Sequence, residues 1–164
     1  ILPADFSYRE LDLRFAGEKQ SRLKKLIQPL KSEYDLIVFD CPPSISELSE
    51  QIFRASDLLL VPLLPTTLSL RTLEQIRMFL KKKSLRNVKL RTFFSMVDRR
   101  KRMHREIFEQ ALTNDKLTLP SFIPYSSVVE RMGVERSPTA HFSPRSGPGQ
   151  AFEMLWNQVD DVMF

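Results

Sequence analysis

Short unbroken apolar runs alternate along this chain with longer segments whose apolar residues recur every three or four positions. The first rhythm predicts strands buried on both faces of a parallel sheet, and the second predicts amphipathic helices. Their alternation is the signature of an α/β fold. The clearest strand is Leu36-Ile37-Val38-Phe39, which ends at Asp40 and the break Pro42-Pro43. Further strands are expected over Leu58 to Val61, stopped by Pro62, over about Val88 to Met96, and over about Leu117 to Ile123, stopped by Pro124. Pro120 interrupts the last of these, and proline belongs at sheet edges or bulges.

Helices are expected between the strands. Lys19 to Leu30 sets Leu23, Leu26, Ile27 and Leu30 on one face. Glu47 to Ala55, Leu70 to Lys82 and His104 to Leu112 repeat that spacing, and Gln150 to Phe164 closes the chain with a stripe of Phe152, Leu155, Trp156, Val159 and Val162. Ser137 to Gly149, rich in Ser, Pro and Gly, reads as a loop before the last helix. No repeat or domain-scale linker is visible, so residues 1–164 are expected to form a single α/β domain.

Composition narrows the function classes. The 164 residues are 42% apolar and 27% charged, the balance of a soluble globular protein. The longest apolar stretch, Leu58 to Leu64, contains Pro62 and is far short of the roughly 20 residues that span a bilayer. No signal peptide is visible, and Ile1 in place of methionine suggests a chain cut from something longer. A single cysteine, Cys41, leaves no internal disulfide and no cysteine-based zinc site, which favours a reducing compartment. The net charge of +5 hints at an anionic partner.

The most informative segment runs from Tyr34 to Ser44. An aspartate at the carboxyl end of a buried parallel strand sits where open α/β sheets bind ligands. Asp40 is therefore a candidate ligand-side carboxylate, or else the cap of the next helix. Tyr-Asp, a hydrophobic strand and then Asp40-Cys41-Pro42-Pro43 resemble the corresponding pattern of ParA/MinD-type partition ATPases, a branch of the deviant Walker A P-loop superfamily that also includes cobyrinic acid diamide synthases. The resemblance continues in order through Ala55-Ser56-Asp57 to Pro65, Leu68 to Leu73, Phe94 to Arg100, Ile123-Pro124 with Ser126 to Arg131, and Pro144 to Leu155.

The resemblance implies a three-layer, parallel-sheet P-loop NTPase fold, with ATP and Mg²⁺ as cofactors. By position, Asp40 becomes the catalytic, Mg²⁺-side aspartate and Cys41, Pro42, Pro43 and Ser44 the switch loop behind it. Met96, Asp98, Pro124 and Tyr125 fall around the adenine, although Met96 reads first as ordinary core packing. The family's activity is ATP-dependent homodimerisation and slow hydrolysis coupled to chromosome, plasmid or cargo positioning. A ParB-like stimulating partner, non-specific DNA and a bacterial, nucleoid-associated cytoplasmic location go with it.

One departure from the family pattern stands out. The four glycines, Gly17, Gly133, Gly147 and Gly149, form no G-x-x-x-x-G-K-[ST] loop of the kind that wraps phosphates. The resemblance places that loop and some central strands in an N-terminal third ahead of these residues, which would leave an unpaired inner edge on the sheet. A catalytically incompetent scaffold or regulatory partner, or a cobyrinic acid a,c-diamide synthase-like ligase, are the alternative functions.

Arg99, Arg100, Lys101, Arg102 and Arg105 form the densest basic stretch and are candidate contacts to DNA phosphates, or else a solvated loop. Lys81 to Lys83 are better read as cations favouring a helix C-terminus. The last helix carries Glu153, Asp160 and Asp161 and no basic residue, so it is expected to pack on the core and not to lie on anionic lipid.

Overall fold

A computed structural model of the chain describes residues 22–41 and 46–164. By compactness it divides into two units, Ile1–Asp57 with Leu80–Val88, and Leu58–Phe79 with Lys89–Phe164.

In the first unit, helix α1 (Arg22–Leu26) is followed by a 3-10 turn over Gln28–Ser32. The single long helix expected here breaks at Pro29, which has no N–H to continue the ladder. Leu26, the last residue of α1, does not share the buried stripe and is 59% exposed, while Ile27 is buried. Helix α2 (Glu47–Ala55) has the range expected for it. Its N-cap is Ser46, whose Oγ accepts the N–H of Ser49 at 3.3 Å. Gln51 ties α1 to α2 by accepting the N–H of Leu23 through Oε1 at 3.1 Å.

The strand expected at Leu36–Phe39 is corrected by the structure. The segment belongs to no ladder and Val38 is 78% exposed. A strand exists only when a neighbour satisfies its backbone N–H and C=O groups, and none of the described residues pairs with this run.

In the second unit, β1 (Leu58–Leu63), β2 (Lys89–Val97) and β3 (Thr118–Pro124) form a parallel sheet in the order β1-β2-β3, as the three other apolar runs predict. Helix α3 (Thr67–Lys82) links β1 to β2 and α4 (Arg102–Asn114) links β2 to β3. The connections after β3 are the short turns α5 (Ser127–Glu130), α6 (Met132–Glu135) and α7 (Thr139–Phe142), ending in α8 (Gly147–Met163). Part of the stretch expected to be loop is therefore helical.

The two sheet faces are covered differently. On one, Leu119 and Ile123 of β3 pack with Leu155 and Val159 of α8. On the other, Phe108 of α4 meets Phe94 and Phe122 edge to face, with ring centroids 5.6 and 5.0 Å apart. A parallel sheet with helices on its faces is an α/β, Rossmann-like architecture. Within the sheet, the buried hydroxyls of Thr92 and Thr118 satisfy each other at 3.1 Å. The last helix packs on the core as expected, but Trp156 does not share its buried stripe and is 50% exposed.

Of the three prolines in the strands, Pro124 closes β3 and the two interior ones sit where their missing N–H does least harm. Pro62 is in edge strand β1, and Pro120 is in edge strand β3 inside an irregularity where Thr92 pairs with Thr118 but Phe94 with Phe122. A second irregularity lies between Phe94 and Val97 of β2, opposite Phe122 to Pro124. At its centre Met96 has φ of 57°, a left-handed conformation rare for a bulky residue.

Candidate functional site

Because the three strands are parallel and adjacent, their carboxyl ends form one edge, the position where α/β sheets hold ligands. A cavity of about 180 Å³ lies there. Met96, Asp98 and Tyr125 line it, joined by Thr66, Lys101 and His104, with Leu64 and Pro65 as an apolar wall. Three of the four residues expected around an adenine are thus brought together. Pro124, the fourth, ends β3 opposite Val97 and is not among the lining residues.

The core-packing reading of Met96 is overturned: the residue is 47% exposed and lines the cavity. The bulge that gives it a positive φ turns its side chain out of the sheet alternation. Such a backbone costs on the order of 1–3 kcal/mol and persists only where its surroundings hold it.

Those surroundings are well defined. The N–H of Tyr125 donates to the carbonyl of Val97 at 3.0 Å, and the N–H of Lys101 to the carbonyl of Asp98 at 3.0 Å. The Asp98 carboxylate accepts Nε and Nη2 of Arg100, both at 3.0 Å, and the Arg100 backbone N–H at 3.1 Å. The Arg100 side-chain hydrogen bonds, then its backbone N–H, hold the Asp98 carboxyl down to about 2. The same pairing raises the pKa of Arg100. Asp98 is thereby an ionised wall of the cavity already engaged by a cation.

Lys101 was expected with the basic stretch and instead lines the cavity. His104 and the Leu64-Pro65-Thr66 segment had no expected site role. The latter could have been found from topology, since it follows the carboxyl end of a strand adjacent to β2.

The basic stretch is exposed but partly self-neutralised. Arg100 pairs with Asp98, Arg102 with Glu106 at 2.6 Å, and Arg105 donates to the carbonyl of Arg99 at 2.6 Å.

Asp40 and Cys41 belong to the first unit. Asp40 is exposed, and the capping alternative fails because Ser46 caps α2. The Cys41 thiol donates to the carbonyl of Phe39 at 3.5 Å, and burial, then the charge of Asp40, push its pKa up. A switch-loop role for Pro42, Pro43 and Ser44 lies outside the described residues. Among the described residues no group of three or more His, Cys, Asp or Glu gathers to cage a metal. One exposed carboxylate nevertheless fits Mg²⁺, which typically keeps several waters and takes one or two carboxylates plus substrate phosphates.

Away from the cavity, Glu50 of α2 is nearly enclosed, with its side chain 4% exposed. Burial pushes its carboxyl up, but hydrogen bonds from Lys83 at 2.5 Å and Arg54 at 2.7 Å outweigh that and leave its pKa lowered. This cluster is a buried ion-pair network, not an acid positioned for catalysis.

A family model described as an AAA domain matches residues 1–92. The chain is 26% identical over 168 residues to a ParA family protein of Mycoplasma pneumoniae, covering 94% of this chain and 61% of that protein. It is 25% identical over 161 residues to the chromosome-partitioning ATPase Soj of Treponema pallidum, covering 94% and 63%. A shorter match, 35% over 78 residues, joins 46% of the chain to 28% of the chromosome partitioning protein ParA of Myxococcus xanthus.

Among solved structures, the cell division ATPase MinD of Pyrococcus furiosus superposes with a TM-score of 0.73 at 18% identity, over 98% of this chain and 63% of that one. Cobyrinic acid a,c-diamide synthase from Mycobacterium smegmatis, with bound ATP analog and magnesium, gives 0.67 at 20% identity, over 82% and 63%. The chain spans less than two thirds of the length of each of these relatives. With the AAA-domain model covering more than half of its residues, the chain belongs to that family and to the ParA/MinD-type P-loop ATPases within it.

Proposed function

We propose that this chain supplies the base-binding and metal-side portions of an ATP-dependent partition ATPase. In this reading ATP drives homodimerisation, hydrolysis is slow, and the cycle positions DNA or another cargo with the help of a ParB-like stimulating protein. The carrying observation is the cavity at the carboxyl edge of the sheet, where Met96, Asp98 and Tyr125 converge. At about 180 Å³ it is smaller than the roughly 300 Å³ at which drug-sized pockets begin, and suits a flat heterocycle better than a whole nucleotide.

The parts have distinct roles. Met96 and the Tyr125 ring offer apolar faces to a base, while Asp98 and Lys101 offer polar edges. Asp40 would hold Mg²⁺ through one carboxylate, with Cys41, Pro42, Pro43 and Ser44 as the loop that reports the γ-phosphate. When bound, Mg²⁺ neutralises charge on the transferred phosphoryl group. The phosphate-wrapping lysine of a G-x-x-x-x-G-K-[ST] loop is not among the 164 residues, so the base and metal sides are what this chain itself contributes.

Adenosine, which has no phosphates, tests the base side directly. Titrated against the chain with ¹³C-labelled methionine methyls, adenosine is expected to shift Met96, and guanosine to do so more weakly. If neither nucleoside moves Met96 or Tyr125 at millimolar concentration, the cavity is not a base site and the reading fails.

A further inference from the structure

His104 is one of two histidines in the chain and is buried on α4, 9% exposed. Its Nδ1 accepts the backbone N–H of Asp98 at 3.1 Å. An accepting Nδ1 carries no proton, so this ring is the neutral form protonated at Nε2. The peptide it grips lies two residues after left-handed Met96, and His104 itself lines the same cavity. Of the two side chains that grip this turn, Arg100 is 85% exposed while His104 is enclosed.

We infer that His104 is a pH-sensitive latch: a positioning residue whose neutral imidazole, acting through the Asp98 backbone, holds the Met96 turn in the shape that binds a nucleoside. The inference rests on the base-site reading above. Protonation would place an Nδ1–H against the Asp98 N–H, donor against donor in a buried position, and the turn would lose its side-chain anchor. The titratable groups lining the cavity with His104 are Asp98 from the β2–α4 turn, Lys101 at the start of α4 and Tyr125 after β3; Leu64, Pro65 and Thr66 contribute none. Arg100 keeps Asp98 ionised to about 2, so Asp98 does not titrate in the range where imidazoles do.

The test compares wild type with His104→Asn, whose Oδ1 stands where Nδ1 stood and accepts the same N–H, and with His104→Leu, which accepts nothing. Adenosine affinity is read from the Met96 methyl, and the exchange of the Asp98 amide proton is followed in parallel. At about pH 8, Asn is expected to bind as wild type does, and Leu about tenfold more weakly with a faster-exchanging Asp98 amide. As the pH is lowered, wild type is expected to weaken and His104→Asn to lose nothing.

Wild type and His104→Asn showing the same pH profile would overturn the latch, as would a folded His104→Leu that binds adenosine normally. If the leucine variant does not fold, the wild-type and asparagine profiles decide. Failure of wild type to bind adenosine at about pH 8 overturns the base-site reading instead. In that case an Asp98 amide whose protection, corrected for the intrinsic pH dependence of exchange, ignores both pH and substitution removes the latch as well.

Discussion

Single side chains carry most of the definable chemistry here, and two carboxylates show it in opposite settings. Asp98 is held by Arg100 at a turn, and its folded pKa of about 2 lies below the usual value near 3.9. A depressed carboxylate contributes stability that is complete above the unfolded pKa and lost as pH falls through the folded one. Asp98 should therefore support the fold above about pH 4 and lose that contribution between about 4 and 2. Its ¹³C carboxyl resonance should titrate with a midpoint near 2, and Arg100→Ala should move that midpoint upward; a normal midpoint in wild type would show that the pair does not form in solution. Glu50 is the enclosed case. Replacing it with Gln leaves the partly exposed Arg54 and Lys83 without their shared carboxylate, and losing such charge-assisted hydrogen bonds costs about 1–2 kcal/mol. Urea unfolding of Glu50→Gln should register that loss, and an unchanged midpoint would mean the network is solvent-screened. Neither environment was legible in the sequence, where Glu50 looks like an ordinary surface acid and Asp98 was placed near a ligand with no sign of its pairing to Arg100. The resemblance grouped Met96, Asp98 and Tyr125, which line one cavity, with Pro124, which does not, whereas His104 read only as the start of a helix, because its contact depends on a turn that brings α4 back to the residue after β2.

At the scale of elements, apolar rhythm predicted four strands, three of which form, and the middle of each long helix, while boundaries followed local chemistry that the rhythm does not contain. Helix α3 starts at Thr67, three residues earlier than expected, because Thr66 Oγ1 accepts the N–H of Ser69 at 3.3 Å. The run Leu36–Phe39 has strand composition but no ladder partner among the described residues, and composition alone cannot build a ladder. Helix α8 likewise starts at Gly147, three residues before the expected Gln150. Ser146 caps it by accepting the N–H of Gly149 at 3.2 Å, and Pro148 sits in its first turn. Gly149 is required for a separate reason. A Cβ there would lie 2.5 Å from the carbonyl oxygen of Ser143 and 2.9 Å from that of Pro144, backbone atoms that cannot swing aside. Gly149→Ala should thus destabilise by about 1–3 kcal/mol. Ser146→Ala should cost about 1 kcal/mol through the lost cap. Denaturant midpoints of the two variants check both values. Were there room at Gly149, alanine would stabilise the helix by about 1 kcal/mol, so the sign of that change alone decides the point.

On the scale of the whole molecule, the net charge of +5 sets how the chain meets a polyanion, and the structure changes which cations count. In sequence the five basic residues between Arg99 and Arg105 look equivalent. In the folded chain Arg100 and Arg102 are spent on Asp98 and Glu106, whereas Arg99, Lys101 and Arg105 form no salt bridge with a carboxylate among the described residues. A phosphate approaching Arg100 must compete with a bidentate carboxylate, so that cation releases little DNA counterion on binding. If this stretch contacts DNA, about three phosphates are neutralised, and log K should fall with log salt at a slope of about −3. Arg99→Glu combined with Arg105→Glu should flatten the slope by about two. Arg100→Glu combined with Arg102→Glu should change it less, although it sets like charges beside Asp98 and Glu106. Lys101 is left intact in these variants because it also lines the cavity, so a loss of nucleoside binding would not be mistaken for a loss of DNA binding. Retention on non-specific duplex DNA across a salt series gives the slopes directly. A wild-type slope near zero would show that the basic stretch is a solvated turn whose charge serves the Asp98 pair and the start of α4. A steep slope that survives Arg99→Glu and Arg105→Glu would move the DNA contact to another face of the molecule.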